Sequence, residues 1–545
     1  MHGTMMYVPL TLAPLLERAH ALFAEREVVS RRSDRSLHRY TYADLRRRVW
    51  ALGAALARAG LQPGERVATL MWKDFAHLEA YFGIPLAGGV LHTLNLRLPP
   101  EQLAWIVNDA SDRFLIVDET LVPLLEKWRA GTRLERIFVV RMNESAPLPA
   151  GYESYEAFIA PSSEGFVPPP AAENDACGLC YTSGTAGMPK GVLYTHRSTV
   201  LHSLVIALPD SLGMGQRDTI MPVVPMFHVN AWGLPYAAVM SGAKLVLPGR
   251  HLDPVSLLEL CEREQVSMTA GVPSIWSAML TTLDREPGRY KLRRMRMAVG
   301  GAAAPEALIR GFDRHGQEVI HAWGMTETSP VGCVSRLTPA LDGLSEDEHY
   351  RYRATQGVPT PLIDLRIMAD AGPAPHDGKS MGELQARGPW VTGSYFGASH
   401  DPDKFSADGW LRTGDIATID RHGYIKIVDR VKDLVKSGGE WISSVELESA
   451  LMSHPAVLEA CVIAVPHPQW SERPLGVVVF REGMQAAADE LREHLARQFP
   501  KWWLPDNFVA VAEIPKTSVG KFAKSVLRER FGGASATATA TPTES

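Results

Sequence analysis

Residues 181–191 read Tyr-Thr-Ser-Gly-Thr-Ala-Gly-Met-Pro-Lys-Gly and directly follow the apolar run 178–180. Thr182, Ser183 and Thr185 offer hydroxyls, Gly184 and Gly187 let the backbone bring its N–H groups close to an anion, and Lys190 adds a positive charge. A loop of this composition between a strand and a helix is a phosphate cradle. It lacks the Gly-Lys-Ser/Thr context of the usual P-loop. A surface turn of small residues would account for the glycines, but not for the hydroxyls and Lys190 at fixed offsets in an apolar neighbourhood.

Other segments carry groups suited to the same work. His228 and Trp232 lie in Pro225-Met-Phe-His-Val-Asn-Ala-Trp-Gly233, after an apolar run. Gly300 and Gly301 open a small-residue turn where a flat ring could lie against backbone. Ala322, Trp323, Met325, Thr326 and Glu327 put an aromatic, a hydroxyl and a carboxylate at one strand end. Asp415 sits in a glycine turn, Arg430 and Lys432 in the charged stretch 429–433, and Lys436, Gly438, Gly439 and Trp441 in Lys-Ser-Gly-Gly-Glu-Trp. Lys521 closes Pro515-Lys-Thr-Ser-Val-Gly-Lys near the C-terminus. Each alone has a plain structural reading: a satisfied core histidine, a core aromatic, a turn former, a solvated lysine. Their joint order and spacing decide otherwise.

The elements around them alternate. Thr41 with Asp44 starts a helix in capping-box style and Gly60 ends it, with Leu45, Val49, Leu52 and Leu56 on one face. The Arg46–Arg48 triplet reads as the solvated face of that helix. Strands at 67–71, 114–117 and 137–140 alternate with helices near 76–88, 100–110 and 121–130. A second series follows the phosphate loop, with strands at 219–224, 244–247, 268–271, 295–299 and 319–322 and helices between them. This pattern predicts parallel α/β sheets with covered faces. Beyond Gly357 short strands with Gly and Pro turns predict a mostly antiparallel subdomain, and a final unit of mixed helix and strand follows the charged stretch. The tail 532–545, rich in Ala, Thr and Ser, is expected to be disordered.

At 545 residues the chain exceeds one core. A net charge of −5 and a pI near 6.4 give no general reason to bind nucleic acid. Cys177 and Cys180 form a C-x-x-C without a second pair, and their apolar setting reads as a buried strand rather than a redox or zinc site. The N-terminus lacks the pattern of a signal peptide and no apolar run is long enough to span a bilayer, so a cytoplasmic enzyme is expected.

Taken together, the segments resemble the adenylate-forming enzymes: acyl- and aryl-CoA synthetases, peptide adenylation domains and firefly luciferase. The resemblance runs from about residue 41 to 531. Within that family, 223–233, 321–327 and 436–443 are most similar to bacterial medium- and long-chain fatty-acyl-CoA synthetases. The resemblance implies an α/β fold: a large N-terminal domain (1–429) of α/β sheets with a β-rich subdomain, and a small mobile α+β domain (430–531) hinged near Lys432. It implies two half-reactions. A carboxylate attacks the α-phosphorus of ATP, releasing pyrophosphate; the thiol of coenzyme A then attacks the acyl carbon, releasing AMP.

By resemblance, Thr182, Ser183, Gly184, Thr185 and Lys190 hold the outgoing phosphates, with Thr182 also near the metal. Glu327 binds Mg²⁺ and Thr326 the α-phosphate. Trp323 stacks on adenine in a pocket lined by Gly300, Gly301 and Ala322; Asp415 and Arg430 hold the ribose. Lys521 reaches the α-phosphate and carboxylate during adenylation. After the small domain turns, Lys436 and the Gly438-Gly439 turn face the site and pass the pantetheine arm, with Trp441 a nucleotide contact or an interface anchor. Trp232 matches a tryptophan that gates the fatty-acid tunnel, His228 lies beside the acyl carboxylate, and Gly301 and Met325 border the acyl group. Ala186 departs from the family's usual threonine, which implies weaker ATP or pyrophosphate handling at most. A homodimer is a family-based expectation. Rival readings are the same mechanism on an aryl, short-chain or methylthio acid, loading of a carrier protein, and a non-catalytic nucleotide-binding scaffold.

Overall fold

The computed structural model describes residues 1, 3–142, 144, 147–182, 188–369, 372–398, 401–438, 440–516 and 522–532. The capping box at Thr41 forms as expected: its side chain accepts from the Asp44 N–H, and the Asp44 carboxylate accepts from the Thr41 N–H. The helix Tyr42–Arg58 then buries Leu45, Val49, Leu52 and Leu56. Each such side chain contributes roughly 1.5–3 kcal/mol. They pack on the helix Phe75–Leu86, every residue of which is buried. Gly83 is required at the crossing, because a Cβ there would stand 2.7 Å from Leu52.

The arginine triplet corrects the sequence reading. Arg47 is solvated, its side chain 69% exposed, but Arg48 turns inward between Glu79 and Glu156 at 2.6 Å from each. Arg46 pairs with Glu17 and lies over Trp50. Arg46 and Arg48 face partners on other elements, which local spacing does not report.

Two largely parallel sheets carry the large part of the chain. The seven-stranded sheet holds Arg66–Leu70, Val90–Thr93, Phe114–Asp118, Arg136–Val140 and Ala176–Tyr181 in its parallel body. The nine-stranded sheet holds Thr219–Pro222, Lys244–Leu247, Met268–Gly271, Arg296–Val299 and Glu318–Gly324 in parallel, and gains an N-terminal hairpin, Glu27–Arg31 with Leu37–Thr41. That hairpin and the helix Ala13–Phe23 before it were not read from sequence. In both sheets loops leave the carboxyl ends of the strands, the edge where α/β sheets bind ligands. Cys177 and Cys180 are buried free thiols within their strand, and burial pushes the Cys177 thiol up to about 12.

The expected helix at 121–130 is broken into Glu119–Leu121, Val122–Leu125 and Arg129–Gly131. Trp128 leaves helical geometry at φ −138° and buries its indole. The helix Glu346–Ala354 went unread because none of its residues is buried and it carries no apolar stripe. A five-stranded antiparallel sheet follows (Gly372–Pro373, Asp364–Ala369, Gly382–Arg387, Leu411–Ile419, Ile425–Arg430). The smaller C-terminal domain pairs Val435–Ser437 and Glu440–Ile442 with Val457–His467, Ser471–Phe480 and Asn507–Ala510. Its helices are Ser444–Met452, Ala488–Ala496 and Lys524–Phe531. Among the described residues no helix is long and apolar enough to cross a membrane. The expected tail lies outside the described residues from 533 onward.

Candidate active site

The glycine-rich loop leaves the strand Ala176–Tyr181 at Thr182, whose N–H donates to the Lys190 carbonyl at 2.9 Å. The Lys190 N–H in turn donates to the Thr182 hydroxyl at 3.1 Å, so the neck of the loop is closed. Ser183, Gly184 and Thr185 lie outside the described residues. The Lys190 ammonium sits 3.0 Å from the Asp401 carboxylate and 4.8 Å from the centre of the Tyr395 ring.

Opposite the loop, the strand Glu318–Gly324 runs into a short turn, Thr326–Thr328. The Thr326 carbonyl accepts from the Tyr194 hydroxyl at 2.8 Å. The Glu327 carbonyl accepts from the Thr392 N–H at 2.8 Å, and its carboxylate accepts from the Tyr395 hydroxyl at 2.8 Å. Burial, and then the Glu327 charge, raise the Tyr395 phenol above its ordinary range.

A cavity of about 370 Å³ lies between these elements, and most of the candidate residues line it. Thr182, Lys190, Thr326 and Glu327 form its polar end, and Gly300, Gly301, Ala322 and Trp323 also line it. His228, Trp232 and Met325 border an apolar end, and Arg430 and Lys432 arrive from the charged stretch. Burial lowers the Lys432 ammonium, against the raising effect of Asp433. An adjoining cavity of about 300 Å³ shares Gly301, Trp323 and Arg430 and includes Asp415. There Trp323 donates its indole N–H to Asp415 at 2.9 Å, and Arg430 pairs with the other carboxylate oxygen at 2.6 Å.

The apolar end has a conformation that no sequence pattern announced. Val229, Asn230, Ala231 and Trp232 take φ of 47°, 50°, 51° and 58°, followed by Gly233 at 73°. This is one turn of left-handed helix, costing L-residues about 1–2 kcal/mol each. Packing holds it. The Cys180 thiol donates to the Asn230 side chain, and a Cβ on Gly233 would stand 2.7 Å from His202. The turn lays the Trp232 ring against Gly300, where a Cβ would meet it at 2.9 Å.

Some candidates stay apart. Lys436 lies 4.6 Å over the Trp441 ring on the hairpin Val435–Ser437 with Glu440–Ile442; neither they nor Gly438 line the cavity. Gly439 and Lys521 lie outside the described residues. Phe522, next in sequence to Lys521, does line the adjoining cavity.

An ammonium, a buried carboxylate, hydroxyls and a flat aromatic around one cavity suit a nucleotide polyphosphate with a hard cation. The AMP-binding enzyme family model matches residues 16–396, and the model for the AMP-binding enzyme C-terminal domain matches residues 446–521. The chain belongs to the AMP-binding enzyme family.

Relatives cover nearly its whole length. A long-chain-fatty-acid–CoA ligase of Thermus thermophilus is 50% identical over 97% of each chain. A 3-methylmercaptopropionyl-CoA ligase of Ruegeria pomeroyi is 45% identical over 97% of this chain and 99% of its own. Among solved structures, the anthranilate CoA ligase AuaEII with anthranoyl-AMP superposes at a TM-score of 0.85 and 25% identity, covering 97% of this chain and 99% of its own.

Three groups of this AMP-binding enzyme's site were missed from sequence: Tyr395, Asp401 and Lys404. Tyr395 and Lys404 line the cavity, and all three sit on the connection between two antiparallel strands. A tyrosine in Gly393-Ser-Tyr-Phe reads as loop; only the tertiary fold brings it to Glu327.

Proposed function

We propose that this chain is an AMP-forming acyl-CoA ligase that activates a medium- or long-chain fatty acid through an acyl-adenylate. The observation that carries the reading is one cavity lined both by Lys190, Thr326 and Glu327 and by Trp232, whose ring lies against Gly300. A charged polyphosphate and an apolar chain can meet there.

Carboxylate and ATP are both anions, so the site must offset charge as they meet and as it builds on the phosphate oxygens. Lys190 and the Thr182 hydroxyl hold the departing phosphates, and Thr326 the α-phosphate. Trp323 takes the adenine face, with Gly300 and Gly301 leaving room for the ring. Asp415, oriented by the Trp323 N–H, accepts from the ribose, and Arg430 adds a donor beside it. His228 sits near the acyl carboxylate. Lys521 serves adenylation, and Lys436 with the Gly438-Gly439 turn serves attack by the CoA thiol after the small domain turns about Lys432. The division into 1–429 and 430–531 belongs to this proposal. It is supported by the chain leaving one sheet at Arg430 and entering the next at Val435.

Mg²⁺ fits the polar end. Among the described residues no group of three or more His, Cys, Asp or Glu could hold a metal, so a cation here would take phosphate and water ligands around Glu327. When bound, it would offset charge on the β- and γ-phosphates. A cytoplasmic location and a homodimer complete the proposal, tested by fractionation and light scattering.

The deciding experiment measures AMP release with ATP, Mg²⁺ and CoA across saturated acids from acetate to stearate, with benzoate and 3-methylthiopropionate beside them. A CoA-dependent maximum among medium or long chains is expected. The resemblance to a 3-methylmercaptopropionyl-CoA ligase supports a second reading, and turnover confined to the methylthio acid would establish it. No turnover with any free acid would favour carrier loading or a scaffold.

A further inference from the structure

The connection between the strands Gly382–Arg387 and Leu411–Ile419 is stitched to both sides of the phosphate site. The Phe396 N–H donates to the Gly191 carbonyl at 2.8 Å, beside Lys190, and the Thr392 N–H to the Glu327 carbonyl at 2.8 Å. The Ser329 hydroxyl donates to the Trp390 carbonyl at 2.8 Å. Between these bonds stands Tyr395, 5% exposed. Its hydroxyl donates to Glu327 Oε1 at 2.8 Å, and its ring centre lies 4.8 Å from Lys190 Nζ. One rigid side chain therefore touches both the carboxylate and the ammonium.

We infer that Tyr395 is a positioning residue for the metal–nucleotide complex: its hydroxyl orients the Glu327 carboxylate toward a divalent cation, and its ring face holds Lys190 toward the phosphates. This rests on the reading of Glu327 and Lys190 proposed above. Mg²⁺ tolerates little departure from its preferred geometry, so a ligating carboxylate must be held in a fixed orientation. A donated hydrogen bond to one oxygen does that. The ring attracts the Lys190 ammonium without neutralising it, so the charge stays available to phosphate. A carboxylate such as Asp401, 3.0 Å away, competes with phosphate for the same ammonium. The aromatic contact does not.

The test separates hydroxyl from ring. Full-length enzyme and its Tyr395→Phe, Tyr395→Leu and Glu327→Gln variants are titrated calorimetrically with ATP, in Mg²⁺ and in EDTA, without acid or CoA. Melting curves confirm that each variant is folded. Tyr395→Phe is expected to weaken ATP binding about 10-fold or more in Mg²⁺ and to leave it unchanged in EDTA. Tyr395→Leu weakens both. The double variant Tyr395→Phe/Glu327→Gln is expected to lose no more than Glu327→Gln alone. Wild-type binding of Mg²⁺–ATP by Tyr395→Phe, or an equal loss with and without metal, overturns the inference. If Glu327→Gln shows the metal-dependent loss and Tyr395→Phe does not, the inference alone falls. If Glu327→Gln shows none, the role given to Glu327 falls with it.

Discussion

Trp323 and Asp415, more than ninety positions apart in sequence, are joined by a 2.9 Å hydrogen bond from the indole N–H to the carboxylate. The aromatic proposed to face adenine thus also orients the acid proposed to hold the ribose, and Arg430 fixes the second oxygen. On that proposal the two ends of the nucleoside meet one bonded unit.

Trp323→Phe keeps a flat ring but removes the N–H. A hydrogen bond to a charged group contributes about 1.5–3 kcal/mol, so the KM for ATP should rise about 10-fold or more. Steady-state kinetics at saturating acid and CoA check this; an unchanged KM would mean that Asp415 needs no orientation.

Gly300→Ala places a methyl 2.9 Å from the Trp232 ring and 3.1 Å from the Ala322 carbonyl. Overpacking of this kind costs about 1–3 kcal/mol. The backbone carbonyl cannot yield, so the ring should shift, lowering kcat/KM for the acyl substrate more than for ATP. Adding Trp232→Ala should restore part of the stability. No recovery in the double variant would place the strain at Ala322 instead.

Arg48→Ala should destabilise the fold by about 3–5 kcal/mol, because it leaves the fully buried Glu79 without its charge partner. Tyr155 still donates to that carboxylate at 2.7 Å, which offsets only part of the loss. Urea unfolding measures it. Replacing the pair together, Arg48→Met with Glu79→Leu, should recover most of the stability.

Acid should unfold the protein through its buried histidines. Burial lowers His77, His196 and His321 to about 4 and His202 to about 3, against an ordinary value of 6.5. Between about pH 6.5 and 4 the unfolded chain binds these protons and the folded chain does not, so stability falls as pH drops through that window. Below about pH 4 only His202 adds further loss, down to about pH 3. The urea midpoint should decrease clearly from pH 7 to pH 5. An unchanged midpoint would show that these side chains admit a proton while folded.

The order of elements was legible because it rests on local patterns: the capping box at Thr41 and Asp44, the helical stripe from Leu45 to Leu56, and the apolar strands before each loop. Thr182, Trp323, Thr326 and Glu327 stood out at or just beyond the ends of apolar strands, and Lys190 by its place in a loop rich in glycines and hydroxyls. Arg48, Tyr395 and the left-handed turn at 229–233 were not legible. A charge reads alike whether it meets water or Glu79. A tyrosine in a loop carries no sign of the carboxylate that a distant strand brings to it. Four L-residues at positive φ are held by Cys180, His202 and Gly300, contacts of long sequence separation. Local patterns along the chain set the parts and the chemistry they can do. The tertiary structure alone decided which side chains meet, because burial and hydrogen-bond partners arise only when segments far apart in the chain pack together.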